Sequence, residues 1–238
     1  MKISYGKSVY NKAEIESVVR TLKKSSQMGE SVKKFEKKIC HLSGKKYGIM
    51  VNSGSSALIL ALKVLDLPKN SEVITPCLNF GTALSSIIIS NLRPILVDCE
   101  IETLQIDVVK LEKKITKKTK ALLIPNLIGN IPNWKEIRKI ANKYDLKIIE
   151  DSADTLGAKI NDTPTGYFSD ISITSFYGSH IISCAGNGGI FLTNNINYYQ
   201  RAKVIRSWGR MSTLISDSEN ISKRLSIKLK GFDYDKKF

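Results

Sequence analysis

The sequence predicts an α/β protein in which helices cover both faces of a mixed, mostly parallel sheet. Short apolar segments that are typical of buried strands alternate along the chain with amphipathic segments that are typical of helices. This alternation is the pattern of βαβ units, whose crossover helices join parallel strands. The chain has 238 residues, of which 42% are hydrophobic, so it holds enough apolar material for a sizeable core.

The predicted helices are recognised by apolar residues at helical spacing and by their stop signals. Gly44 is the stop signal of the helix predicted for residues 30–44. The other helices are predicted for residues 11–26, 53–67, 79–91, 107–115 and 133–145. Strands are predicted for residues 47–51, 71–76, 93–100, 120–129, 146–151, 170–178 and 188–195.

The charge and the cysteine content of the sequence indicate which partners and which cellular compartment to expect. The 37 basic and 22 acidic residues give a formal net charge of +15, but the lysines are spread along predicted helices and no nucleic-acid-binding motif accompanies them. We therefore predict no nucleic-acid partner, and a basic surface that attracts small polyanions such as nucleotide diphosphates. The sequence has no run of roughly 18 apolar residues and no signal-peptide pattern, and its four cysteines are widely spread. A cytoplasmic protein with reduced thiols and no membrane contact is expected.

Residues that could bind a ligand or take part in catalysis lie at the ends of the predicted strands. Ligands of open α/β sheets bind at the carboxyl ends of the strands, so we expect these residues to share one edge of the sheet. They are Gly54 and Ser55 in the turn after the first strand, Phe80 after the second, Glu150, Asp151 and Asp154 at the fifth, and Ser175 and His180 at the sixth.

Pyridoxal phosphate is a cofactor that would use these groups together. The turn at residues 52–57 opens a helix, and backbone N–H groups at a helix N-terminus bind phosphate. Phe80 would stack on the flat ring, and Ser175 would add a phosphate contact. Asp151 would face the pyridine nitrogen and keep it protonated, so that the ring acts as an electron sink. Each residue also has an ordinary structural role, such as a helix cap or a core side chain, and it is the co-location that predicts a site.

At these residues the chain resembles the DegT/DnrJ/EryC/StrS sugar aminotransferases, a family of fold-type I pyridoxal-phosphate enzymes. The resemblance is carried by “VNSGSSALILAL”, “TPCLNFGTALSSII”, “IIEDSADTLGA”, “GYFSDISITSFYGSH” and “GNGGIFLT”, which run in the family's order. It implies the large domain of a fold-type I enzyme, a homodimer, and binding of pyridoxal phosphate or pyridoxamine phosphate. The cofactor-binding residues that it implies are Gly54, Ser55, Phe80, Asp151, Asp154 and Ser175.

One position departs from the aminotransferase pattern. His180 stands where the aminotransferases have the lysine that bonds covalently to the cofactor. A branch of the family with histidine at this place is the nucleotide-sugar 3-dehydratases, and Asp154, where many aminotransferases have glutamine, resembles that branch as well. A dehydratase holds pyridoxamine phosphate and needs a base that does not trap the cofactor covalently. A histidine titrates near the working pH, so His180 is the implied catalytic base.

The resemblance implies 3-dehydration of a nucleotide-linked 4-keto-6-deoxyhexose, in the synthesis of deoxysugars for surface polysaccharide such as the O-antigen of lipopolysaccharide. Glutamate is the implied amino donor. A nucleotide-sugar aminotransferase of the same family and an inactive truncated remnant are the alternatives. One subgroup of these dehydratases ligates an iron–sulfur cluster through cysteines that follow the segment “SWGR”. This sequence has no cysteine after Cys184, so no iron–sulfur cluster and no other metal is expected.

The sequence is interpreted as one domain, residues 1–238, with an N-terminal helical arm at residues 1–30 and the start of a C-terminal region at residues 205–238. Members of the family continue beyond “YDKKF” into segments that complete the partner subunit's site and into a small C-terminal domain. We therefore expect this small domain to be missing and the active site to be incomplete.

Overall fold

The computed structural model describes residues 8–24 and 28–214. Most of the predicted C-terminal region, residues 205–238, lies outside the described residues, and so does part of the predicted arm at residues 1–30. The division of the chain into these parts therefore stays a prediction.

A seven-stranded sheet is the centre of the described fold. The strands, in chain order, are β1 (Tyr47–Val51), β2 (Glu72–Pro76), β3 (Arg93–Val97), β4 (Thr119–Pro125), β5 (Lys147–Asp151), β6 (Lys159–Ile160), β7 (Thr163–Pro164), β8 (Ile171–Ser175) and β9 (Gly189–Thr193). The sheet has the order β1-β9-β8-β5-β4-β2-β3, and β6 and β7 form a separate hairpin. Strand β9 runs antiparallel to both of its neighbours, whereas the other neighbours pair in parallel. The predicted mixed, mostly parallel sheet is confirmed.

Helices connect most of the strands and cover the sheet on both sides. They are α1 (Lys12–Lys24), α2 (Glu30–Ser43), α3 (Gly54–Leu65), α4 (Gly81–Ile89), α5 (Val108–Lys113), α6 (Trp134–Lys143) and α7 (Ile196–Arg206). Helix α1 is the exception, because it has no buried residue. Helix α2 ends as predicted at Gly44, whose φ of 66° is the left-handed conformation that glycine adopts at little cost. None of the helices in the described parts of the chain is long and apolar enough to span a lipid bilayer.

The core lies on both faces of the sheet, as the alternating side chains of β4 show. Ala121 and Leu123 pack in one apolar cluster with residues of α3, α4 and α7. Leu122 and Ile124 pack in a second cluster, on the opposite face, with residues of α5 and α6. All four side chains are fully buried. A parallel sheet covered on both faces needs such continuous apolar strands, which is why the strand signals in the sequence were clear.

Two local features differ from the sequence prediction. The strand predicted for residues 120–129 ends at Pro125, and residues 127–129 form a short 3₁₀ turn. The apolar pair Leu127–Ile128 mimics a strand, but the Asn126 side chain, which bonds Trp134 and Glu150, turns the chain out of the sheet. The β6–β7 hairpin was not predicted. Its turn residues Asn161 and Asp162 both have positive φ, as a two-residue type I′ turn requires.

The buried core makes a direct prediction about stability. Ile149 of β5 is fully buried, whereas Ile101 is 90% exposed. We expect Ile149→Ala to lower the free energy of unfolding by about 2–5 kcal/mol, because it removes buried methylene groups and leaves a cavity. Ile101→Ala is the matched control and should change it by less than about 0.5 kcal/mol. Urea unfolding followed by circular dichroism measures both, and equal losses would contradict the described burial.

Candidate functional site

The predicted site residues gather where the six parallel strands end. Strand β1 leads into the turn that opens α3, strand β5 ends at Asp151, and strand β8 ends at Ser175. Strand β9 starts at this edge, because Gly189 lies opposite both Val51 and Ser175 in the register of the sheet. The topology therefore brings the turn after β1 and the ends of β5 and β8 to one edge.

The N-terminus of α3 presents free backbone donors at this edge. Ser53 is the N-cap, and its Oγ accepts a hydrogen bond from the Ser56 N–H at 3.1 Å. The N–H groups of Gly54 and Ser55 have no hydrogen-bond partner within the described ranges. Two open N–H groups on the first turn of a twelve-residue helix form a site for an anion such as phosphate.

Close packing fixes this helix end against β8 and β9. A Cβ atom placed on Gly54 would lie 2.7 Å from the Ser175 Cβ and 3.2 Å from its Oγ. A Cβ atom on Gly189 would lie 2.2 Å from the Ser53 carbonyl oxygen. Only glycine allows these approaches, and they bring the Ser175 hydroxyl beside the open N–H groups. Gly54, Ser55 and Ser175 are thus brought together as the sequence predicted.

Asp151 is a buried carboxylate with few hydrogen-bond partners in the described part of the protein. Its Oδ1 accepts a hydrogen bond from the Ala153 N–H at 3.0 Å, and among the described residues no cation pairs with it. Burial raises the pKa of Asp151 from its usual range to about 7, and the nearby Asp154 and Glu150 carboxylates add to the rise. A cationic ring nitrogen placed here would supply the missing charge.

Glu150, the other carboxylate at the end of β5, has a structural role. Adjacent strand residues point to opposite faces, and Glu150 is almost fully buried on the face away from Asp151. Its carboxylate oxygens accept hydrogen bonds from four neutral groups, namely the Asn126 amide and the hydroxyls of Ser152, Ser169 and Ser172. We call Glu150 and these four partners the polar ring; their hydrogen bonds connect β5 to β8 and to the turn after β4.

His180 lies in the loop between β8 and β9, beside Asp154. Its Nε2 is 3.9 Å from the Asp154 Oδ1, which is an ion-pair distance and too long for a hydrogen bond. Its Nδ1 is buried and has no partner in the described part of the chain, and Nε2 is the nitrogen that faces Asp154. Asp154 is held in turn by the Ile128 N–H at 3.3 Å. Asp154 therefore contacts the predicted base.

Phe80 is the predicted site residue with the fewest contacts. It precedes α4 in the loop after β2, which lies two strands away from β5 in the sheet. Its side chain is 70% exposed. The structure brings Phe80 to the same edge and leaves its ring open, and its stacking on a cofactor stays a prediction.

Two contacts near the site were missed by the sequence prediction. The Ser8 hydroxyl donates to the Gly178 carbonyl, and the Ser183 hydroxyl donates to the Tyr10 hydroxyl at 3.2 Å. Both contacts join the N-terminal segment to the loop that carries His180. No local pattern signals them, because the partners are about 170 residues apart in sequence.

Metal ligands were not expected, and the described ranges 8–24 and 28–214 contain no cluster of three or more histidine, cysteine, aspartate or glutamate side chains that could hold a metal ion.

The comparison with known proteins identifies the family. A model of the DegT/DnrJ/EryC1/StrS aminotransferase family matches residues 9–231. The chain belongs to this family. The family resemblance and the fold predicted from it are thereby confirmed.

Members of the family that resemble this chain differ in reaction. The lipopolysaccharide biosynthesis protein RfbH of Salmonella typhimurium is 38% identical over 184 residues, which cover 74% of this chain and 42% of the relative. The GDP-perosamine synthase of Escherichia coli O157:H7 is 35% identical over 184 residues, covering 77% and 50%. The solved structure of E. coli GDP-4-keto-6-deoxy-D-mannose-3-dehydratase with bound hydrated PLP has a TM-score of 0.79 and 32% identity, covering 84% of this chain and 53% of that one. The chain spans about half the length of these relatives.

The buried carboxylate of this family member predicts a pH dependence of stability. Because the pKa of Asp151 is raised to about 7, the folded protein keeps a proton that the unfolded chain loses near its ordinary pKa of 3.8. The carboxyl's contribution to stability is therefore complete below about pH 4 and is lost as the pH rises through about 7. Relative to Asp151→Asn, the parent protein should lose up to about 4 kcal/mol of its free energy of unfolding over this window.

Urea unfolding without added cofactor, at pH values from about 4 to 8, measures this difference. Asp145→Asn is the control, because the Asp145 side chain is 97% exposed, and its curve should run parallel to that of the parent. A parallel curve for Asp151→Asn as well would show that this carboxylate does not carry the effect.

Proposed function

We propose that this chain forms the cofactor-binding part of a pyridoxamine-phosphate-dependent 3-dehydratase that acts on a nucleotide-linked 4-keto-6-deoxyhexose. The observation that carries the proposal is His180. The resemblance of “SFYGSH” to the family's motif puts it at the position of the cofactor-bonding lysine, and the segment between β8 and β9, residues 176–188, contains no lysine. Relatives named for lipopolysaccharide synthesis and for 3-dehydration support a role in deoxysugar synthesis for surface polysaccharide. Cytoplasmic location, a homodimer and glutamate as amino donor belong to the same proposal.

The residues at the sheet edge fit pyridoxal or pyridoxamine phosphate. The Gly54 and Ser55 N–H groups and the Ser175 hydroxyl would hold its phosphate, since this cradle leaves no room for a Cβ at Gly54. The Asp151 carboxylate would face its ring nitrogen, where a positive charge would bring the pKa of Asp151 back down. Phe80 would cover one face of the ring. When bound, the cofactor supplies an amine for the sugar ketone and a ring that takes up electrons.

The chain's own acid–base group is the imidazole of His180. Its Nε2, the nitrogen on the side of Asp154, would accept a proton during the reaction. Asp154 lies 3.9 Å away and would stabilise the imidazolium that this transfer forms. The contacts of Ser8 with Gly178 and of Tyr10 with Ser183 hold the loop on either side of His180.

A nucleotide-sugar aminotransferase is the second candidate, because GDP-perosamine synthase is as similar to this chain as the dehydratases are. The two reactions release different products. With a GDP-linked 4-keto-6-deoxyhexose and glutamate, a dehydratase forms a 3-deoxy sugar and releases ammonia, whereas an aminotransferase forms a stable amino sugar. Product analysis by mass spectrometry distinguishes them, and no turnover of either kind would favour an inactive remnant.

The histidine predicts that the cofactor is held without a covalent bond to the protein. Treatment of the cofactor-loaded protein with borohydride should leave the protein mass unchanged, because no lysine stands at position 180. The matched variant is His180→Lys, which we expect to gain the mass of the reduced cofactor. A lysyl adduct in the parent protein, located by peptide mapping, would refute the non-covalent mode of binding.

The role of His180 as base predicts a separation of binding from turnover. In a full-length version of the enzyme, His180→Asn should retain the cofactor, measured by absorbance after dialysis, while the dehydration rate falls by about 10²–10⁴-fold. His41, the other histidine, lies exposed on α2, and His41→Asn serves as the control with parental binding and rate. Dehydration by His180→Asn at the parental rate would place the base elsewhere.

A further inference from the structure

Cys77 and Cys99 form a pair of thiols at the rim of the site that the proposed reaction does not use. Strands β2 and β3 pair in parallel with Pro76 opposite Val97, and the Cys77 N–H continues the ladder by donating to the Val97 carbonyl at 2.8 Å. This register places Cys77 opposite Asp98, one residue before Cys99. Both cysteines lie within two residues of the ends of neighbouring strands, which run about 5 Å apart, and disulfides join Cα atoms that are about 4.4–6.8 Å apart.

The two cysteines share one contact, the Asp98 carboxylate. The Cys77 thiol contacts the Asp98 Oδ1 at 3.7 Å, and the Asp98 carboxylate in turn bonds the Cys99 N–H at 3.0 Å. Burial raises the pKa of the Cys99 thiol, and the neighbouring Cys77 thiol adds to the rise. Cys77 is exposed and Cys99 is partly exposed, so a small reagent reaches the pair from solvent.

We propose that Cys77 and Cys99 are a redox modification site, at which a small-molecule disulfide of the glutathione type forms a reversible intramolecular disulfide. The Cys77 thiolate attacks one sulfur of the reagent, whose S–S bond breaks and expels one thiolate. The Cys99 thiolate then attacks the Cys77 sulfur and expels the second. The two protein thiols are oxidised, the reagent is reduced to two thiols, and the two protons from the cysteines pass to the leaving thiolates.

The bond would act on the loop that carries Phe80. Cys77 begins this loop and Phe80 ends it, directly before α4. In the reduced protein the loop is held mainly by its own contacts, from the Asn79 amide to the Thr75 hydroxyl at 3.0 Å and from the Phe80 N–H to the Asn79 side chain at 2.7 Å. A disulfide would tether the loop to the end of β3 and restrict the position of the Phe80 ring. Formation of the disulfide does not depend on the proposed function, because it needs no cofactor.

The pairing is tested by oxidising the folded protein with oxidised glutathione at about pH 8.5, near the ordinary pKa of a cysteine thiol, because burial raises the pKa of Cys99 and leaves little thiolate at lower pH. Remaining thiols are then blocked with a maleimide and the peptides are mapped by mass spectrometry. We expect one disulfide, between Cys77 and Cys99, that reverses with dithiothreitol. Cys184→Ser should form it as the parent does, whereas Cys99→Ser should stop at a glutathione adduct on Cys77. Bonding through Cys40 or Cys184, or a stable adduct on Cys77 in the parent protein, would overturn the proposal.

Two further measurements test whether the folded structure itself brings the two thiols together. In the folded protein the Cys77–Cys99 bond should form at least about tenfold faster than in concentrated urea, because the fold raises the effective concentration of one thiol near the other. Equal rates would count against a built site. Oxidation should also slow hydrogen exchange in the peptide that contains residues 77–81, and reduction of the same protein with dithiothreitol should restore the original exchange rate. Unchanged exchange would show that the bond does not restrain the Phe80 loop.

Discussion

The approach of the turn after β1 to the ends of β8 and β9 is the contact on which the site depends. A Cβ on Gly189 would lie 2.2 Å from the Ser53 carbonyl oxygen, so two backbones meet here without any side chain between them. This contact sets where α3 begins and where its open N–H groups point. It also places Ser175 against Gly54. An anion site made of backbone groups has few side chains to adjust, so its geometry comes from the packing of the sheet itself.

The same edge holds two carboxylates whose surroundings differ. Glu150 is satisfied by four neutral donors, and Asp151 by a single backbone N–H. Beneath the polar ring, the buried Lys45 donates to the Ser169 carbonyl at 2.6 Å, and burial lowers the pKa of Lys45 to about 8. The buried polar groups around Glu150 therefore hydrogen-bond to one another, whereas Asp151 has no cationic partner among the described residues. Such contrast between neighbouring groups is typical of functional sites.

Much of this arrangement could be predicted from the sequence, because strand and helix signals alternate and the site residues stand at strand ends. The sequence correctly placed Gly54, Ser55, Asp151 and Ser175 at one edge. It did not reveal that Glu150 belongs to a structural network, because its partners Asn126, Ser169 and Ser172 look like ordinary turn and strand residues. Asp154 was expected at the cofactor, and only the turn at Ile128, with its φ of 51°, explains how it comes to lie beside His180. Contacts across the whole chain, such as those of Ser8 and Tyr10, have no local signature.

The order Glu150–Asp151 has a consequence for how the chain must fold. Because successive strand residues face opposite sides of a sheet, a slip of β5 by a single residue would exchange the two carboxylates. Asp151 would then enter the polar ring with a side chain one carbon too short to meet its donors, and Glu150 would be left at the edge among groups that suit a shorter acid. The pairing of β5 with β4 and β8 in the correct register is thus required for the site as well as for packing. Because the two adjacent acids differ in length, only the correct register gives each of them suitable partners.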